Sequence, residues 1–92
     1  VVVHLSGTLV CRDLSEVQVV REMLPRHIEL TLLEPGCLDF LVEQTDDPLV
    51  WRVEERFAGS DAFRAHQARV ASSDWGAATA GIERFYEVEG LD

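Results

Sequence analysis

The residues best suited to chemistry stand near the middle of the 92-residue chain, in Glu55-Arg56-Phe57-Ala58-Gly59-Ser60-Asp61-Ala62-Phe63-Arg64-Ala65-His66. Imidazole has an ordinary pKa close to neutrality, so His66 can take up and release a proton at working pH. A carboxylate in contact with it would fix which ring nitrogen carries the hydrogen, and Glu55 is the candidate. The same pair also fits a purely structural role, because buried polar groups nearly always find a hydrogen-bond partner. His27 and Arg84 are further polar candidates. Trp51, Phe57, Phe63, Trp75 and Tyr86 either pack a core or line a pocket for an aromatic ligand.

Alternating and helical spacings define the elements that must position these side chains. Val1–Cys11 reads as a strand, with Gly7 marking a bulge or a close approach by another segment. Asp13 and Glu16 open a helix as a capping box. Val17, Val20, Leu24, Ile28 and Leu32 give that helix its apolar face, and His27 lies at the edge of the stripe. Pro25 predicts a kink or a break into two helices. Pro35-Gly36 ends the segment. Cys37–Thr45 and Leu49–Phe57 form an antiparallel hairpin across the turn signal Asp46-Asp47-Pro48. Ser60 caps a second helix that carries Ala62, Phe63, His66 and Val70 on one side. Ser72-Ser73-Asp74 starts a short helix bearing Trp75, and Ile82–Glu89 is the last strand.

The order β-α-β-β-α-β is the split, ferredoxin-like α+β arrangement: a four-stranded antiparallel sheet with its helices on one face. Residues 1–92 form a single domain. Strand parity puts Leu5, Leu9, Leu38, Phe40, Trp51, Val53, Phe57, Ile82, Tyr86 and Val88 toward the helices, with Glu55 and Arg84 among them. Charges in such a layer are paired, reach out at the edge, or line a polar corner of a cavity. The other face mixes His4, Ser6, Thr8, Asp39, Leu41, Glu43, Arg52, Glu54, Arg56, Glu83, Phe85 and Glu87. It is either solvated or the interface of a face-to-face homodimer.

Composition removes several classes of function. A formal charge of −9 argues against nucleic acid and against anionic membrane surfaces. No run is long and apolar enough to span a bilayer. The start at Val1 shows no basic segment or cleavage motif, so no signal peptide is read and a cytoplasmic location is expected. Cys11 and Cys37 fall in apolar strands and read as free thiols. His4, His27 and His66 sit on different elements without ligand spacing, so no metal site is expected.

Glu34-Pro35-Gly36-Cys37, Glu55-Arg56-Phe57, Ala62-Phe63-Arg64-Ala65-His66 and Arg84-Phe85-Tyr86, in this order and spacing, resemble the antibiotic biosynthesis monooxygenase domain of the dimeric α+β barrel superfamily. The resemblance runs from about Val3 to Gly90. It implies homodimers built sheet to sheet and a pocket between sheet and helices. It further implies cofactor-free oxygenation of a small aromatic or quinol, with His66 as general base oriented by Glu55. His27, Trp51, Phe57, Phe63, Trp75, Arg84 and Tyr86 would surround the substrate. The haem-degrading branch fits poorly, since Gly7 and His66 replace its Asn and Trp, and the region of Trp75-Gly76 lacks its His. The anthrone-oxidising branch fits imperfectly, with Phe57, Phe63 and Val53 in place of its Trp, Tyr and Asn. The pattern is nearest to quinol-monooxygenase-like members. A non-oxidative isomerase or ligand-binding domain using the same pocket is the alternative.

Overall fold

Seven elements follow one another in the computed structural model, which describes Val1–Asp92 throughout. They are β1 (Val3–Val10), α1 (Leu14–Leu32), β2 (Cys37–Gln44), β3 (Val50–Phe57), α2 (Ser60–Ala71), α3 (Asp74–Thr79) and β4 (Glu83–Glu89). The strands pair antiparallel in the order β2-β3-β1-β4. This is the ferredoxin-like βαββαβ architecture expected from the sequence. No helix is long and apolar enough to cross a membrane.

The core lies between the sheet and α1 and α2, where Val3, Leu9, Val20, Val53 and Phe57 are almost wholly sealed from solvent. Truncating Phe57 to alanine there should cost about 3–5 kcal/mol, a large share of a small domain's stability. Gly7 is the close-approach site its position suggests. A Cβ there would stand 2.0 Å from the Phe85 carbonyl oxygen of β4, so no side chain fits between β1 and its neighbour.

Helix α1 is one continuous element, so of the two outcomes expected at Pro25 the break does not occur. The helix differs from its expected form in two respects. The buried stripe is Val17, Val20, Leu24, His27 and Thr31, whereas Leu32 is 58% exposed. Successive steps of four residues overrun the helical repeat of about 3.6, so Ile28 packs at the margin of the face, partly buried against the core, and Leu32 rotates off it. The three-residue step to His27 keeps to it, which makes His27 a buried residue rather than one at a solvated edge. At the N-terminus, the Asp13 carboxylate accepts from the Glu16 amide at 3.1 Å. Glu16 reaches back to the Arg12 amide at 2.7 Å, one residue before the position a capping box would use.

Two further corrections are local. Leu38 does not face the helices, because the β2–β3 register shifts between Cys37 and Asp39. It is the extra residue of this bulge, 49% exposed, and Cys37 takes the inward position opposite Phe57. Helix α2 is preceded by Gly59, which provides no side-chain cap. Ser60 is its first residue, and its hydroxyl accepts the Asp92 amide at 3.2 Å instead. For α3 the expected start holds, with the Ser73 hydroxyl accepting from the Gly76 amide at 3.0 Å.

Candidate functional site

Four elements bring polar side chains into the apolar layer between sheet and helices. Strand β3 supplies Glu55, α1 supplies His27 and Thr31, α2 supplies His66 and Arg69, and the turn after α1 supplies Glu34. Spacing on α2 explains part of this: Phe63 and His66 are its buried residues, and Arg69 lies one turn beyond His66. The turn depends on Gly36, whose φ of +88° is a left-handed conformation. A Cβ there would come within 2.7 Å of the Ala62 Cβ on α2, so glycine lets the turn press against the helix that carries His66.

His66 is 3% exposed, and its principal partner is Glu34. Nδ1 lies 2.8 Å from Glu34 Oε1 and 3.1 Å from Oε2. The Arg69 Nε–H donates to the same carboxylate, and the Arg69 NH2 group donates to Thr31 Oγ1 at 2.9 Å. A carboxylate accepts, so Nδ1 carries the hydrogen and Nε2 is left with the lone pair. Nε2 faces Glu55, whose nearest oxygen is 3.6 Å away, a charge contact just beyond hydrogen-bond range. The carboxylate that orients His66 is therefore Glu34, whereas the sequence reading gave that task to Glu55.

Burial shapes the proton affinities. It pushes the His66 pKa below the ordinary histidine value, outweighing the opposing pull of Glu34. Glu55 is raised to about 7, first by burial and then by the Glu34 carboxylate, with Arg84 opposing. His27 falls to about 3 through burial and the positive charge of His66, Arg69 and Arg84 around it. Burial lifts the Tyr86 phenol to about 12. Near neutral pH the site thus holds a neutral imidazole beside a carboxyl group close to its midpoint.

A cavity of about 50 Å³ lies at this point. Its lining includes Glu55, His66, His27, Phe40, Trp75, Arg84 and Tyr86. Of the residues expected at the ligand, Trp51, Phe57 and Phe63 belong to the surrounding core and do not line it. Phe57 supports the site from behind, its ring centroid 4.8 Å from that of His66. Arg84 does not pair with Glu55. It braces β4 against α3, donating to the Thr79 carbonyl and hydroxyl at 2.8 and 2.7 Å and to the Ile82 carbonyl at 3.0 Å. His27 stacks on Trp75, centroids 4.6 Å apart and planes 4° from parallel. No group of three or more His, Cys, Asp or Glu side chains is arranged to hold a metal ion.

Glu34, Arg69 and Thr31 are the members of this cluster that the sequence reading did not assign to the site. A signal existed for two of them: Thr31 lies one helical turn after His27, and Arg69 follows His66 at helical spacing, whereas Glu34 stands past the end of α1 at Leu32.

Comparison with known proteins agrees with this architecture. Residues 16–78 match the family described as antibiotic biosynthesis monooxygenase, and the chain belongs to that family. The fold is that of solved structures spanning nearly the whole chain. One is a candidate antibiotic biosynthesis monooxygenase from Nitrosomonas europaea, with 18% identity and a TM-score of 0.76 over 98% of this chain and 97% of that one. A protein of the same description from Caulobacter crescentus has 20% identity and a TM-score of 0.73, over 99% of this chain and 90% of that one. Rv0793 from Mycobacterium tuberculosis has 19% identity and a TM-score of 0.76, over 100% and 97%. None of the individually curated proteins matches the sequence.

Proposed function

We propose that this domain is a cofactor-independent monooxygenase of a small hydroxyaromatic or quinol, with His66 as the general base. One observation carries the reading: His66 is buried and its Nδ1 is held by Glu34, which leaves Nε2 as an available base facing the cavity. Nε2 would remove the proton of a substrate hydroxyl or of an acidic ring carbon. The electron-rich anion then passes one electron to O₂, and recombination forms a carbon–oxygen bond. Loss of the remaining proton from that carbon, with O–O cleavage, leaves a carbonyl and one water. One oxygen atom enters the product and the other leaves in water, so the balance closes with O₂ as sole oxidant. Glu55, near its midpoint at neutral pH, would supply the proton needed when the O–O bond breaks.

An oxygen-electrode assay with a panel of quinols and anthrones tests this proposal. Wild-type protein should consume O₂ only with substrate, and His66→Ala should lower the rate by about 10²–10⁴-fold. Uptake unchanged in His66→Ala would sink it. The pairing of a neutral imidazole with a half-protonated carboxyl group also suits a proton-shuttling isomerase, which is the second reading. Substrate conversion under strict anaerobiosis would favour that reading over the first.

We also propose that two copies pack sheet to sheet. In one subunit the face opposite the helices exposes Phe85 at 58% and Leu41 at 37%, among the pairs Arg52–Glu43 and Arg56–Asp39. Light scattering at micromolar concentration should give about twice the 10.3 kDa subunit mass. A clean monomer would refute the dimer.

A further inference from the structure

A cavity of about 50 Å³ holds a water molecule but no aromatic ring, since benzene occupies a cavity of about 150 Å³. A second concavity, of about 370 Å³, lies between α1 and the α2–α3 turn. His27 and Trp75 line both, and they are the only residues that do. Their stacked rings are the wall between the two spaces. The two sides of this wall are anchored differently, for His27 belongs to a helix of 19 residues and Trp75 to one of 6.

Two buried nitrogens on residues that line the groove have no partner. His27 Nδ1 has none although the residue is only 4% exposed. Arg69 NH1 has none although the other two guanidinium nitrogens are bonded to Glu34 and Thr31. Buried polar atoms are rarely left so, and a ligand oxygen in the groove would satisfy the Arg69 N–H. Charge around the groove is mixed, Glu22 and Asp74 facing Arg26 and Arg69, so either a neutral carbonyl or a carboxylate meets the requirement.

We propose that the groove is the outer half of one binding site. An aromatic ligand takes the place of Trp75 against His27, its ring opens the wall toward His66, and an oxygen acceptor beside the ring is held by Arg69. This rests on the reading that the inner cavity is where reaction occurs, and it adds a ligand class: hydroxyaromatics with an adjacent carbonyl or carboxylate. Trp75 becomes the residue that sets access.

Air-stable probes separate this proposal from any oxidation. Calorimetric titration of the wild-type protein would compare 1-naphthol, 1-hydroxy-2-naphthamide and 1-hydroxy-2-naphthoate. The amide and the carboxylate should both bind about tenfold or more tightly than 1-naphthol, the effect of one hydrogen bond to a charged donor. Arg69→Lys, which keeps a cation beside Glu34, should remove that advantage. In Trp51→Phe the remaining tryptophan is Trp75, and its emission should shift on binding. If that variant does not fold, a crystal structure of the wild type with 1-hydroxy-2-naphthoate gives the Trp75–His27 separation directly. Equal affinities for the three probes, no binding by any, or binding with Trp75 still stacked on His27 would overturn the proposal. None of these readouts depends on O₂ uptake, so failure of the oxygenase reading alone leaves them unchanged.

Discussion

Two histidine–glutamate pairs with nearly equal contact distances lie on opposite sides of this sheet. His66–Glu34 closes at 2.8 Å on the helix side, with side chains 3% and 15% exposed. His4–Glu54 closes at 2.6 Å on the open face, with side chains 41% and 34% exposed. The residue types are the same, but their settings differ. Inside, Arg69 donates to the Glu34 carboxylate and is itself anchored on the Thr31 hydroxyl, and burial opposes protonation of the imidazole. Outside, water screens both members, and Arg52 is the only other charged partner of Glu54, at 3.6 Å. Burial and a third partner turn a histidine–carboxylate pair into a fixed, oriented imidazole; contact distance alone does not.

Removing each glutamate should make the contrast measurable. Glu34→Ala leaves the Arg69 guanidinium largely buried without its carboxylate and should cost on the order of 3 kcal/mol in urea unfolding. Glu54→Ala should cost less than about 1 kcal/mol within the subunit. Equal losses would mean that burial does not separate the pairs.

The next effect concerns pH. Glu55 is bound to its proton more tightly in the folded state, about 7 against an ordinary 4.5. Its contribution is therefore full below pH 4.5 and is lost as pH rises through 7. His27 is depressed from 6.5 to about 3, so its contribution is full above pH 6.5 and is lost as pH falls toward 3. Between pH 4.5 and 6.5 the two slopes, each roughly 1.4 kcal/mol per pH unit, oppose one another. Stability of Glu55→Gln should consequently rise through this window more steeply than that of the wild type. Parallel stability–pH curves for the two proteins would contradict the shift assigned to Glu55.

The smallest change to the subunit itself should come from Phe85→Glu, because this ring projects from the open face. Its effect should appear in association instead, weakening a sheet-to-sheet dimer by about 30-fold or more, as loss of a central aromatic contact does. Light scattering across a dilution series would read it. An unchanged dimer would move the interface away from this face.

Most of the fold was legible because strand parity and helix spacing are local. The alternation in Val50–Phe57 alone sends Glu55 inward and Glu54 outward, and the β1–β3 register agrees. What escaped the sequence depended on small departures from ideal repeats. The bulge at Leu38 shifts parity by one residue, and the three-residue step from Leu24 to His27 carries the stripe on to Thr31 instead of Leu32. The site was legible as residue types but not as partnerships. His66 and Glu55 could be assigned to one layer from spacing, but Glu34 lies beyond the end of α1 at Leu32, where no periodicity governs direction. Only the turn through Gly36 brings it beneath α2.

The claim that Glu34 fixes His66 as a neutral base with Nε2 free can be measured directly. A long-range proton–nitrogen NMR spectrum of protein labelled with ¹⁵N-histidine, recorded at pH 7 and then titrated, gives tautomer and pKa together. His66 should appear as the neutral Nδ1–H tautomer and titrate below the ordinary histidine value. An imidazolium at pH 7, or a neutral ring carrying its hydrogen on Nε2, would contradict the account.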